Sequence, residues 1–292
     1  MPRRTKLDTR AVGLDIGLAF SRFLTGRENL HYGVWASDLA VCAANVGQAQ
    51  EAYTEKLFGL LPKGRELRIL DIGGGAGETA KKLVALGHRV DIVIPSAFLA
   101  ARCRENAGPS ANVHECTFQA FSTDQRFDLC LFSESFQYIP IETALDKAAA
   151  LLAPNGAIIV SDCFRTEAFY RDKKKGARVG GGHSLKKFRA SLESRPLKVV
   201  FEEDITTPVA PTVEIEQELF NVIGYAIRRV DEGLRASHPF LRGMLGRIVG
   251  LFLGARRRAR LDQRLNGTAR SAENFVRYNT YLMMKLAPAP NK

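Results

Sequence analysis

The chain has 292 residues, 46% hydrophobic and 25% charged. That suits one large globular domain, or one domain with a substantial insertion, and excludes a disordered, collagen-like or disulfide-dense chain. The formal net charge is +11, and the excess is localised. Residues 171–198 hold ten Lys/Arg against two acids, and residues 228–277 hold twelve Arg against four. Such asymmetry favours an anionic partner: a membrane surface, an acidic substrate or nucleic acid. Cys42, Cys103, Cys116, Cys130 and Cys163 form no C-x-x-C pair, so buried free thiols are expected, with neither a disulfide framework nor a metal site. The apolar stretch from Met244 to Ala255 is interrupted by Arg247 and is too short to span a bilayer, which takes about 20 apolar residues. The basic start, Met1 to Lys6, is followed by no sustained apolar core, so no signal peptide and a cytoplasmic location are expected.

In chain order, apolar spacing predicts a helix over 10–26 and a longer amphipathic helix over 38–60. Arg68-Ile69-Leu70-Asp71-Ile72 reads as the first strand, stopped by a glycine cluster. A helix follows from Thr79 to Leu86, a strand at 90–94, a helix from Phe98 to Asn106 and a strand at 127–132. Ile141 to Leu152 reads as a helix closed by Pro154-Asn155-Gly156, and 157–161 as a further strand. The alternation argues for a parallel sheet with helices on both faces. Beyond residue 165 the pattern predicts a helix over 185–192, a strand over 197–201 and a helical stretch from Val213 to about Asn274. A terminal strand over 281–286 and a tail marked by Pro288 and Pro290 close the chain.

The loop Asp71-Ile72-Gly73-Gly74-Gly75-Ala76-Gly77 joins the first strand to a helix. Glycines there permit a sharp turn and close ligand approach, and the helix start offers free N–H groups and a positive dipole end. Spacing alone leaves a tight turn without ligand as an alternative. The loop resembles the D/E-x-G-x-G-x-G motif of class I S-adenosylmethionine-dependent methyltransferases. Phe127-Asp128-Leu129 looks like that family's fourth strand, and Leu152-Ala153-Pro154-Asn155-Gly156 like its L-x-P-G-G turn. Leu30-His31-Tyr32-Gly33-Val34-Trp35 is similar to its H-Y-G-Y-W segment. The resemblance covers residues 28–165 and the final strand. It implies an α/β, Rossmann-like seven-stranded sheet with helices on both faces, N-terminal helices and a helical insertion before the last strand. The implied division is 1–61 as a helical segment over the cofactor site, 62–204 with 279–288 as the core, and 205–278 as a substrate cap. A dinucleotide dehydrogenase is excluded by the spacing, because its fingerprint is G-x-G-x-x-G.

Two positions depart from the family pattern. Its second strand usually ends in an acid for the ribose hydroxyls, whereas Ile94 stands here and Asp91 lies three residues earlier. The place of the acid near the adenine amine falls at Thr117 or Gln119. Cyclopropane-fatty-acid synthases are similar in lacking the first acid, so its loss does not imply inactivity. The resemblance implies S-adenosylmethionine as cofactor, held by Asp71, Gly73, Gly74, Gly75, Gly77, Tyr32, Ser96, Thr117, Gln119 and Ser133. Glu134, Tyr138 and His31 are the candidates for chemistry: Glu134 as a base or substrate-holding carboxylate, Tyr138 as a hydrogen-bond donor. For each, a plain structural role is the alternative, as it is for His183 in a glycine-rich loop and for Trp35.

Phe240 to Leu265 reads as one helix, with an apolar face, an Arg-rich end (Arg256, Arg257, Arg258, Arg260) and Gly246, Gly250 and Gly254 every four residues. Either a substrate cap with its apolar face in the core or an interfacial helix on anionic lipid fits. The leading expectation is a cytoplasmic small-molecule methyltransferase of biosynthesis, acting on a small hydrophobic or anionic substrate or lipid, with peripheral membrane contact second. Nucleic acid is disfavoured as a partner: an RNA methyltransferase, supported only by the basic patches, is a weaker alternative. No N-P-P-Y-type loop follows strand four, which disfavours exocyclic-amine methylation of a base, and no separate RNA-binding motif appears. A non-catalytic ligand- or protein-binding descendant is the alternative. Acceptor atom and oligomeric state are not encoded in any motif.

Overall fold

A computed structural model describes residues 9–289 apart from 173–178, 180, 253 and 269. Residues 1–6, Gly180, part of the first basic window and Pro290 lie outside the described residues.

The central sheet runs β3-β2-β1-β4-β5-β8-β7, with the two-residue β6 beside β5. Its strands are β1 (Arg68–Ile72), β2 (Arg89–Val93), β3 (Ala111–His114), β4 (Phe127–Ser133), β5 (Leu152–Arg165), β6 (His183–Ser184), β7 (Leu197–Asp204) and β8 (Asn279–Pro288). β1 to β5 pair in parallel, and β8 runs antiparallel between β5 and β7. This is the expected seven-strand sheet plus a short eighth strand, with β3 and β6 not picked out from the sequence. The helices up to the last parallel strand are α1 (Thr9–Thr25), α2 (Val46–Phe58), α3 (Glu78–Ala85), α4 (Ala97–Ala107) and α5 (Ile141–Leu151). Then come α6 (Glu167–Arg171), α7 (Leu185–Glu193), α8 (Thr206–Val209), α9 (Pro211–Ser237), α10 (Pro239–Phe252), α11 (Ala255–Asn266) and α12 (Ala272–Tyr278).

Strand residues alternate between two cores. Ile69, Leu129, Leu131 and Ile159 bury against α2, α3, α4, α8 and α12. Leu70, Phe132, Ile158 and Val160 bury against α5 and α7. Coverage on both faces explains why these strands read as continuous apolar runs.

Three expectations need correction. The helix expected over 38–60 begins only at Val46, after a single 3-10 turn at Ala43–Asn45. Residues 38–42 are irregular, with a turn at Asp38 and bends at Leu39 and Cys42. The single helix expected over 240–265 is two helices, because Gly254 takes an extended conformation (φ −59°, ψ 155°) as the N-cap of α11. The apolar face of α10 is not in the core: Phe240 is 87% and Leu251 84% exposed. α10 and α11 pack chiefly on α9, and together with its outer half they form an arm. A Cβ at Gly246, Gly250 or Gly254 would meet nothing within 4 Å, so the glycine ridge serves no close packing. Both ends of the 205–278 stretch, by contrast, belong to the main core through Ile205, Val209, Val213 and Phe275.

Candidate functional site

The glycine loop is shaped by four different demands. Gly73, Gly75 and Gly77 have φ of 80°, 57° and 89°, a region where a Cβ is strained. A Cβ on Gly73 would collide with Ser135, one on Gly74 would stand 2.6 Å from Asp71 Oδ2, and one on Gly77 would stand 2.9 Å from Cys103 Sγ. Only Gly75 opens outward: its Cβ would meet nothing nearer than Leu30 Cδ1 at 3.7 Å. Three of the glycines therefore serve packing, and Gly75 leaves room for a ligand. The Gly73 N–H donates to the Val93 carbonyl at 2.8 Å, and the Ser135 hydroxyl donates to the Ile72 carbonyl, fixing the loop between β2 and β4.

Above this loop lies a pocket of about 320 Å³ at the carboxyl ends of β1, β2 and β4, the usual ligand position of an open α/β sheet. Of the predicted residues, Asp71, Gly73, Gly74, Gly75, Thr117, Gln119, Ser133, Glu134, Tyr138 and His31 line it. Gly77, Ser96 and Tyr32 do not. Gly77 is the turn into α3 against Cys103. The Ser96 hydroxyl caps α4 by accepting the Leu99 N–H at 3.2 Å. The Tyr32 ring turns away toward Phe275 and Tyr281. Ile94 lines the pocket as read, and Asp91 points elsewhere, 2.8 Å from His114 Nε2. The pocket thus has no acid at the end of β2.

Sequence reasoning passed over Glu28, Asn29, Tyr53 and Tyr281. Glu28 lines the pocket but is neutralised by Arg102 (2.6 and 3.0 Å) and bound by Asn106 Nδ2 at 2.7 Å. Asn29 Nδ2 and Asp71 Oδ2 are buried without a hydrogen-bond partner. Burial pushes the Asp71 carboxyl up to about 7. Unpaired buried polar atoms are uncommon in native proteins, and both residues belong to the pocket wall. Nothing in the spacing of residues 28 and 29 signalled this.

Glu134 is the most constrained residue of the site. It follows β4 with φ 56°, one of two non-glycine residues with positive φ among those described. Such a conformation costs ~1–2 kcal/mol and persists where surroundings enforce it. Its N–H donates to the Ser161 carbonyl at 2.8 Å. Its Oε1 accepts the Tyr32 N–H at 2.6 Å and the Tyr281 hydroxyl at 2.9 Å. Tyr281 also reaches the Tyr53 hydroxyl, which bonds Ser133 (3.0 Å) and Ser161 (2.8 Å). Desolvation raises the Glu134 carboxyl to about 8, and two backbone and hydroxyl donors only partly offset this. The neighbouring Asp162, raised by burial to about 7, binds both the N–H and side-chain amide of Gln137, fixing the turn after Glu134.

His31 is stacked on Tyr53 at 4.5 Å, and burial lowers its pKa to about 4. It is a neutral wall of the pocket, not a proton carrier near neutral pH. Tyr138 stands half-exposed at the pocket rim. His183 is neither surface nor substrate-reaching: its Nε2 lies 3.2 and 2.8 Å from the Phe136 and Ile139 carbonyls. Trp35 packs, its Nε1 donating to the Thr212 hydroxyl at 3.0 Å. Among the described residues no His/Cys/Asp/Glu cluster could hold a metal ion.

The donor set fits an S-adenosyl amino acid. Asn29 and Asp71 stand in the pocket wall beside the glycine loop, where an amino-acid end would lie, and Gly75 leaves space for close approach. Ile94, Pro95, Leu99 and Phe118 form an apolar wall with Thr117 and Gln119 at its edge, suited to a purine. Residues 69–156 match the family described as a methyltransferase domain. That match, with the relatives that follow, supports an S-adenosylmethionine-dependent methyltransferase of class I. It is similar to 27-O-demethylrifamycin SV methyltransferase of Amycolatopsis mediterranei, 25% identical over 203 residues, spanning 63% of this chain and 72% of that one. A ubiquinone biosynthesis O-methyltransferase of Bradyrhizobium diazoefficiens is 36% identical over 99 residues, 32% of this chain and 39% of its own length. Among solved structures, a putative sarcosine dimethylglycine methyltransferase from Galdieria sulphuraria shares the fold. Its TM-score is 0.66 at 16% identity, covering 94% of this chain and 99% of that one.

Proposed function

We propose that the protein transfers a methyl group to an O–H or N–H acceptor on a small hydrophobic or anionic molecule, a lipid or a biosynthetic intermediate. S-adenosylmethionine, when bound, supplies an electrophilic methyl group. The observation that carries the reading is a single pocket joining the Gly75 cradle to the Glu134 carboxylate. Gly73–Ala76, Asp71 and Asn29 hold the amino-acid end, and the Ile94–Leu99 wall takes the purine. Tyr281 and the Tyr32 N–H orient the Glu134 carboxylate, which takes the acceptor's proton. With a pKa near 8, Glu134 is poised for general-base work close to neutral pH. A cation in the pocket favours its ionised form. The α8–α12 stretch packs on the segment just after the pocket-lining His31: Thr212 accepts the Gly33 N–H at 3.2 Å, and Phe275 packs on Tyr32. Substrate-cap and core division at residues 61, 204 and 278 is part of the same proposal.

The left-handed Glu134 disfavours the non-catalytic alternative, since a ligand-binding relic has no need to hold a strained carboxylate. Calorimetric titration with S-adenosylmethionine and its demethylated product tests the binding half. Glu134→Gln tests the chemistry: cofactor affinity should hold within about threefold while kcat falls by about 10²–10⁴. Unchanged kcat would remove Glu134 as the base.

A further inference from the structure

The arm carries two adjoining surfaces that the methyl-transfer site does not use. On α10, Phe240, Leu241, Met244, Leu245, Ile248 and Leu251 are all exposed and recur at helical spacing along one side. On α9, Val222, Tyr225, Ile227 and Val230 are exposed as well. Where α11 begins, Gly254, Ala255, Arg256, Arg257 and Arg260 line an open notch of about 530 Å³. Arg256, Arg257, Arg258 and Arg260 enter no ion pair among the described residues, and the one acid of α11, Asp262, is bound by Asn266 at 2.8 Å. The α11 start adds free N–H groups and the positive end of the helix dipole at the same place.

We infer that this arm docks on an anionic lipid bilayer, with the α10 side entering the acyl boundary and the α11 arginine notch taking lipid phosphates. Charge selects this occupant. A symmetric second copy would bring arginine-rich surfaces against each other. RNA would satisfy the arginines and leave Phe240 and Leu251 in water. An anionic bilayer satisfies both surfaces at once, as amphipathic basic helices do. The arm is tied to the body: Gln217 donates to the Arg264 carbonyl at 2.9 Å, and Gly224 lets α11 cross α9 without a Cβ. The same α9 carries Thr212 beside the Tyr32–Trp35 segment. Docking is independent of which acceptor the site methylates.

The test uses the full chain with vesicles of phosphatidylcholine carrying rising fractions of phosphatidylglycerol. Trp35 is buried, so Phe240→Trp adds a single exposed reporter. Co-sedimentation should rise with phosphatidylglycerol and fall with salt, and the emission of the introduced indole should shift blue only with anionic vesicles. Replacing Arg256, Arg257, Arg258 and Arg260 by Gln should weaken partitioning by up to about fivefold per arginine, with cofactor affinity unchanged. Leu251→Ser should weaken it at every salt concentration. Equal behaviour toward neutral and anionic vesicles overturns the proposal. So does a dimer, seen by light scattering, that Phe240→Glu dissociates, or a blue shift produced by RNA alone.

Discussion

The pocket loop and the α10–α11 arm are both rich in glycine, yet glycine means different things in them. At Gly73, Gly74 and Gly77 a Cβ would strike Ser135, Asp71 or Cys103, so each residue is dictated by its neighbours. At Gly246, Gly250 and Gly254 a Cβ would meet nothing. The apolar residues divide likewise: Phe132 and Phe136 are wholly buried, whereas Phe240 and Leu251 stand in solvent. Similar residue types carry packing information in one region and surface chemistry in the other. Neither composition nor periodicity separates the two cases, because both depend on what lies across the gap.

Substitutions should expose that contrast. Phe132→Ala removes a side chain of the second core and should lower stability by about 3–5 kcal/mol, whereas Phe240→Ala should change it by under about 0.5 kcal/mol. Chemical denaturation of both variants decides the matter, and a large loss at Phe240 would show the arm to be packed in solution. Gly75→Val should reduce cofactor affinity about 100-fold or more, equivalent to ~2.7 kcal/mol, with the fold retained by circular dichroism. Gly246→Ala, on the ridge, should leave affinity untouched and stabilise its helix by up to ~1 kcal/mol. Ile94→Asp supplies the absent acid at the end of β2 and should tighten cofactor binding about tenfold. A tenfold loss instead would mean that the ribose end is held another way.

The pocket also gives the protein a distinctive pH response. Asp71 and Asp162 titrate near 7 and Glu134 near 8 in the fold, against about 4 in the unfolded chain. Above pH 4 the unfolded chain has released those protons and the folded chain still holds them, so stability falls as pH rises, until about 8. Buried His31, lowered to about 4, acts oppositely between about 4 and 6.5. The decline is therefore expected between about pH 5 and 8, partly offset by His31 below about 6.5 and fading above 7 as Asp71 and Asp162 lose their protons. Denaturation midpoints across that range should show it, and Glu134→Gln should flatten its upper part.

What the residues alone determined is the alternation of apolar strands and helices, hence the parallel sheet and a separate terminal strand, and the Asp71–Gly77 loop with Ile94 in place of an acid. These are local signals: strand period, glycine turns and the spacing between them. The candidate site was half visible in the same way, since Glu134 follows a readable strand. Tertiary structure alone decided that Tyr281, 147 residues away, holds the Glu134 carboxylate, that Asn29 joins Asp71 in the pocket wall, and that His31 and Ser96 serve as wall and cap. It decided too that the α10 face stays uncovered. Those facts depend on contacts between segments distant in sequence. Burial, pKa and hydrogen-bond partnership are properties of the space around a residue, and no local pattern encodes that space.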